Sequence, residues 1–289
     1  MKVVLFCGGL GMRMRDGITT GPKPMALVGE RPLLWHVMRY YAHFGHTDFV
    51  LCLGYGASAV KDFFLNYDET RSNDFMLERG SHEPTLFRTD ISDWRVTFVD
   101  TGLNSPIGER LRRVRPFLAD EPMFMANYAD VLTNAPLPDM IDRFAKSEAV
   151  ASLLAIPPQS SHHAVDIGDD GLITNVTPMR DLRHWENGGY FVFRQEIFDE
   201  LNEDEDLVED ALVRLARRRR VIAYPYKGYW SPADTVKERI QLDERYHRAD
   251  CPWMIWDEER SGVSSRHFEA CPDTVPGRMA APAPLSMER

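Results

Sequence analysis

Through its first half the chain alternates short apolar runs with amphipathic segments, and few folds accept that order. Residues 3–7, 49–53, 96–99 and 123–127 are rich in Val, Leu, Phe and Met and read as strands. Between them, residues 33–44, 57–66 and 107–117 carry apolar side chains at helical spacing. The alternation predicts an α/β fold, a mainly parallel sheet with helices on both faces. Beyond residue 149 shorter strands are expected at 150–155, 164–167, 190–193 and 221–226, with helices at 207–219 and 235–246. No internal repeat interrupts this order.

Two segments stand apart. Residues 68–95 are polar, charged and weakly periodic, and a loop of that length inside a compact domain is usually functional or interfacial. From about residue 261 the chain turns rich in Pro, Ala and Ser. The expected organisation is therefore one domain over 1–256, with 68–95 as an inserted contact region, and a loosely attached tail over 257–289.

Composition narrows the function. A formal charge of −10 disfavours broad binding to nucleic acid or to a membrane surface, while leaving room for a local basic pocket. No apolar stretch reaches the length of a membrane span, and the first residues lack the order of a signal peptide. Cys7, Cys52, Cys251 and Cys271 have no metal-ligand spacing and read as reduced thiols of a cytoplasmic protein.

The first strand runs straight into Gly8-Gly9-Leu10-Gly11-Met12-Arg13. Glycines at such a turn let the backbone approach a ligand and point its N–H groups inward as an anion cradle. The loop lacks the Lys-Ser/Thr ending of a Walker loop and the third glycine of a dinucleotide fingerprint. Taken alone it is equally a tight turn and nothing more. Ten residues on, Pro22-Lys23-Pro24-Met25 holds one lysine between two prolines that fix the backbone around it. An arginine and an aimed lysine beside an amide cradle suit a triphosphate; a surface lysine between prolines is the alternative. Asp130 closes a strand and Asp234 lies just ahead of a helix, and each is also a reasonable cap or turn aspartate.

The glycine loop, the Pro-Lys-Pro-Met segment and the following Gly-x-x-Pro-Leu-Leu-Trp-His together resemble the signature of bacterial sugar-nucleotide pyrophosphorylases, in particular the cytidylyl branch. Leu51–Tyr55, Val96–Gly102, Gly108–Leu111, Asn187–Phe191 and Gly228–Trp230 are similar to that family's segments in the same order, from Met1 to about Trp256. The length of 68–95 is similar to a segment of that branch. The resemblance implies a Rossmann-like sheet of the nucleotide-diphospho-sugar transferase type. It also implies transfer of a nucleotidyl group, with CTP as the favoured donor, to a sugar 1-phosphate. Asp130 and Asp234 would hold Mg²⁺; Arg13 and Lys23 would carry the catalytic charge; Gly8, Gly9, Gly11, Met12 and Arg110 would join them around the nucleotide. Tyr128, Asn187, Gly188, Glu209 and Trp230 would line the sugar pocket. Similar proteins assemble, so a homo-oligomer is implied as well.

The sequence departs from the family pattern in places. Met12 stands where the family has threonine, and Ala129 and Val131 replace the glycines flanking the metal aspartate. Ile107-Gly108-Glu109-Arg110 replaces Thr-Gly-Gly-Arg. The Glu-Lys-Pro motif whose lysine grips the sugar phosphate is absent; Val176–Asp181 holds only Arg180, whose guanidinium could substitute. Two alternatives follow: a different phosphate or phosphonate acceptor, or a non-catalytic nucleotide-binding homologue. Arg217–Arg220 reads as the basic end of a helix, and His162-His163 as a loop pair without metal partners.

Overall fold

The computed structural model describes residues 1–9, 21–78, 80, 83–159 and 162–261. Seven strands form the central sheet. In chain order they are β1 (Val3–Phe6), β2 (Asp48–Leu53), β3 (Arg95–Asp100), β4 (Met123–Asn127), β5 (Ala151–Ile156), β6 (Glu186–Arg194) and β7 (Val221–Pro225). Their order across the sheet is β7-β5-β6-β4-β1-β2-β3. β1 pairs in parallel with β2 and β4, β2 with β3, and β5 with β7. β6 alone runs against its two neighbours, β4 and β5. The expected mixed, mainly parallel sheet is present.

Alternation along the strands builds two cores. Val3 and Leu5 of β1, with Phe49, Leu51 and Leu53 of β2, face one side. Val4, Phe6, Val50 and Cys52 face the other. Helices α1 (Leu33–His43), α2 (Ala57–Leu65) and α4 (Leu137–Ala145) cover the first face, with Leu242 of α6 (Val236–His247) and the fully buried Trp253. Helix α3 (Ile107–Val114) covers the second, beside a π-helical turn (Leu207–Leu212) that continues into α5 (Val213–Arg217). Burial of these apolar faces, at roughly 25 cal/mol per Å² removed from water, is what holds the layers together.

Local chemistry sets the ends of α1. Pro32 leads in with extended backbone. At the far end Gly45 takes φ 82, which a Cβ would strain, and the His46 and Gly45 N–H groups donate back to Tyr41 and Ala42 carbonyls. Helix α4 is absent from the helices expected from the sequence, and it opens on Pro136 and Pro138. Both prolines sit at its entry, where no intrahelical N–H is needed, and Leu137, Met140 and Phe144 bury one face. The helix expected over 207–219 begins as the π turn. Residues 68–95 hold a short ladder, Phe75–Met76 with Thr85–Leu86, and are pinned to the domain by a buried polar network. There Arg31 donates to the Asp68 carbonyl at 2.8 Å, and Tyr67 and Ser72 both donate to Asp90, each at 2.7 Å. Cys7, Cys52 and Cys251 are buried free thiols; Cys271 lies outside the described residues. Among the described residues no helix is long and apolar enough to cross a membrane.

Candidate active site

Parallel strands in an open sheet leave a crevice beyond their carboxyl ends where the strand order reverses, so that neighbouring strands lead the chain in opposite directions along the sheet. Here that point lies between β1 and β4. A cavity of about 630 Å³ opens there, lined by Phe6 at the end of β1, by Gly8 and Gly9 just beyond it, and by Tyr128, Asp130 and Val131 after β4. Its volume falls within the range of small-molecule sites.

Asp130 and Asp234 meet through a device the sequence hides. A two-stranded antiparallel ladder, Val131–Thr133 with Trp230–Pro232, pairs Val131 with Pro232. Ala233 N–H then donates to the Asp130 carbonyl at 3.0 Å, so the two aspartates flank one end of the ladder. Asp234 is held from the other side by α6. Thr235 and Glu238 form a reciprocal capping box, and Glu238 Oε2 also accepts from the Asp234 N–H at 2.8 Å.

Lys23 enters the same point from a 3₁₀ turn, Lys23–Met25, whose Met25 and Ala26 N–H groups donate to the Pro22 and Lys23 carbonyls. Its Nζ lies 2.6 Å from Asp130 Oδ2 and also donates to Asp234 Oδ1. Burial disfavours the ammonium charge, but Asp130 and the hydrogen bonds to both carboxylates outweigh it and raise the lysine pKa. Burial pushes the Asp130 carboxyl up, with Lys23 opposing and Asp234 adding to the push.

The replaced glycines have different fates. Ala129 takes φ 63, the left-handed region, fully buried, with its N–H donating to Asn127 Oδ1 at 2.7 Å. Val131 sits in the ladder in ordinary extended backbone. Glu109 points away from the cavity and pairs with Arg112 and Arg113 at 2.8 and 2.9 Å.

Arg110 is 4% exposed and reaches the cavity wall. It donates to Thr101 Oγ1 at 2.9 Å and to the Gly8, Leu103 and Leu53 carbonyls at 3.1, 3.2 and 3.3 Å. One guanidinium thus ties the carboxyl ends of β1, β2 and β3 together, and burial lowers its pKa.

Opposite, Asn187 Nδ2 donates to the Tyr128 hydroxyl at 3.0 Å, and Trp230 Nε1 donates to the Gly188 carbonyl at 2.8 Å. Gly189, at φ 77, leaves no room for a Cβ, which would lie 2.8 Å from the Tyr128 ring. Burial pushes the Tyr128 hydroxyl up to about 12.

Gly8, Gly9, Lys23, Arg110, Tyr128, Asp130, Asn187, Gly188, Trp230 and Asp234 therefore share one cavity. Gly11, Met12 and Arg13 lie outside the described residues. Two candidates stand away from the wall. Arg180 is exposed on the connection after the strand Ile173–Pro178, with Asp181 Oδ1 3.9 Å away, and Glu209 is exposed on the π turn. Sequence reasoning missed Phe6, Ser105, Pro106 and Asp206, which also line the cavity. Asp206 carried a signal, an aspartate one residue before a helical apolar run.

The chemistry of the donor set fits a hard divalent cation. Two carboxylates already converge on one positive group, and the open cavity leaves the rest of a coordination shell to phosphate oxygens and water. Among the described residues no cluster of three or more His, Cys, Asp or Glu side chains offers a closed protein site.

No family model matches the chain. Among curated proteins, glucose-1-phosphate cytidylyltransferase from Salmonella typhimurium is 30% identical over 258 residues, covering 89% of this chain and all of that protein. Probable glucose-1-phosphate cytidylyltransferase from Bacillus subtilis is 29% identical with the same coverage. Among solved structures, a UDP-glucose pyrophosphorylase complexed with UDP-glucose superposes with a TM-score of 0.63 at 17% identity, covering 86% of this chain and 98% of that one.

Proposed function

Because the chain belongs to the sugar-1-phosphate nucleotidyltransferases, we propose that it transfers a cytidylyl group from CTP to a sugar 1-phosphate and releases pyrophosphate. The observation that carries this reading is the meeting of Lys23, Asp130 and Asp234 in a cavity at the carboxyl ends of β1 and β4.

The attacking atom in such a transfer is a phosphate oxygen, already anionic, so no general base is required. The difficulty is to bring two anions together and neutralise charge as it grows on the α-phosphate. Asp130 and Asp234 would hold Mg²⁺, which supplies part of that neutralisation and orients the α-phosphate. Lys23 is aimed by its prolines to contribute positive charge to the triphosphate. By resemblance, Arg13 would add a second cation, and Gly8, Gly9, Gly11 and Met12 would supply backbone amides to the nucleotide. Arg110 keeps the strand ends under the nucleotide fixed, through four acceptors on three strands. Trp230, anchored by its indole N–H, offers a flat apolar face to a sugar ring, and Asn187 and Tyr128 offer polar atoms to its hydroxyls.

A second reading keeps the transfer and changes the acceptor. It is favoured by one observation: among the described residues, Lys23 and Arg110 are the cationic side chains of the cavity, while Arg180 is exposed outside it. We also infer self-association, supported by the exposed Phe75, Leu77 and Phe87 of the 68–95 region, which light scattering tests directly.

Pyrophosphate release measured with all four ribonucleoside triphosphates, dTTP and a panel of sugar phosphates tests the reading. CTP with a hexose 1-phosphate and Mg²⁺ is expected to give the highest kcat/KM. Asp130→Asn and Asp234→Asn are expected to abolish turnover with the fold retained. Near-native turnover in either variant, or preference for another base, would overturn the corresponding assignment.

A further inference from the structure

Asp206 has no role in the reaction as described, and its setting is unusual for an anion in a cavity that receives phosphates. It lines the cavity at the start of the Leu207–Leu212 turn. Its Oδ1 accepts from the Val208 and Glu209 N–H groups at 2.7 and 3.1 Å. Among the described residues its Oδ2 has no hydrogen-bond partner, and no lysine or arginine pairs with it. A half-buried carboxylate so arranged repels a triphosphate and attracts a neutral N–H or O–H donor.

Its position favours one donor. The segment carrying Asp206 packs on the first turn of α3: a Cβ on Gly108 would lie 2.4 Å from the Glu205 carbonyl and 3.1 Å from Leu207 N. Asp206 is thereby fixed on the wall that also presents Ser105, Pro106 and Ile107. Pro106 and Ile107 give that wall an apolar surface that suits the face of a planar ring. Trp230, bonded to the Gly188 carbonyl, lies on the short strand Trp230–Pro232 that leads into Asp234.

We propose that Asp206 reads the exocyclic amino group of the nucleotide base and so selects cytosine over uracil and thymine. The inference rests on the cavity being the nucleotide site proposed above. Cytosine presents an N4 amino donor at the edge where uracil and thymine present an O4 acceptor. A carboxylate oxygen accepts from the first and repels the second. The π turn holds Asp206 through two backbone N–H groups, so the oxygen that meets the base is oriented before the ligand arrives.

The test compares the full chain with its Asp206→Asn variant. Asparagine also caps a helical turn well, so the fold is retained, and its carboxamide can donate to O4 as well as accept. Binding of CTP and of UTP is measured by calorimetry without acceptor, and kcat/KM and the acceptor KM by pyrophosphate release. The CTP-to-UTP preference is expected to fall by about tenfold to a hundredfold, with the acceptor KM unchanged. Asp206→Ser, which keeps a cap and cannot donate so far, is expected to lose CTP affinity without gaining UTP affinity. A wild-type preference for CTP that survives both substitutions overturns the proposal and leaves the nucleotide reading intact. A raised acceptor KM with an unchanged base preference also overturns it, assigning Asp206 to sugar hydroxyls. Wild-type protein that binds neither CTP nor UTP overturns both.

Discussion

Ala129 holds a backbone conformation in which a Cβ is strained, next to the aspartate on which the site depends. Relief of that strain on Ala129→Gly is offset by the lost buried methyl and by a freer unfolded chain, so the change in stability should stay within about 1 kcal/mol. Ala129→Val adds a β-branched side chain in the same left-handed region with no space around it. It should cost more than about 2 kcal/mol in urea denaturation. Lys23 raises a different question, because its ammonium occupies the point where both carboxylates converge. A divalent cation there competes with it. Lys23→Met should therefore bind Mn²⁺ about tenfold tighter than wild type in calorimetry without nucleotide. Equal or weaker binding would argue against Asp130 and Asp234 as the metal carboxylates. Arg180, exposed and not among the residues lining the cavity, should tolerate change to Ala with less than about a threefold change in acceptor KM. A much larger rise would mean that the 163–178 hairpin closes over the site.

Helix α1 joins the short strand Leu27–Val28 to the end of the described chain through one imidazole. His36 is 1% exposed; its Nε2–H donates to the Val28 carbonyl at 3.0 Å, and its Nδ1 accepts from the Trp253 indole at 3.4 Å. The neutral tautomer satisfies both bonds. Burial holds the ring pKa down at about 4, against an ordinary 6.5. In the unfolded chain the ring takes up a proton first, so the stabilisation is complete above pH 6.5 and is lost as pH falls from 6.5 toward 4. The loss amounts to at most about 3 kcal/mol. Stability measured by urea denaturation at pH 7.5 and pH 5 should fall more for wild type than for His36→Gln, whose side chain does not titrate. Equal falls would remove His36 as the cause. At the opposite end of the site, Thr235→Ala deletes one half of the capping box that steadies Asp234 and should cost about 1 kcal/mol.

At the scale of the whole molecule, the first core depends on residues far beyond the last strand of the sheet, Leu242, Cys251, Trp253 and Met254 among them. Trp253 is 1% exposed and stacks on Tyr229, with ring centroids 5.7 Å apart, just ahead of the strand that bears Trp230. Trp253→Ala should destabilise the fold by about 3–5 kcal/mol and weaken the site with it; a neutral result would mean the segment only rests on the surface. The alternation of apolar runs and amphipathic helices determined by itself that the sheet would be mainly parallel, because each strand needs a covering helix before the next can pair beside it. Pro22 and Pro24 likewise fixed Lys23 locally. Helix α4 was hidden behind prolines, and the antiparallel β6 was obscured at its start by Gly188-Gly189, whose missing side chains blank out the two-residue period. The ladder between Val131–Thr133 and Trp230–Pro232 left no trace in the sequence. Three-residue strands have too few side chains to show periodicity, and their partner is chosen by the packing of everything between them. Tertiary structure alone therefore decided that Asp130 and Asp234 would face one lysine. It also put Asp206 on the cavity wall and left Glu209 exposed, since a side chain three positions on in a π turn points elsewhere.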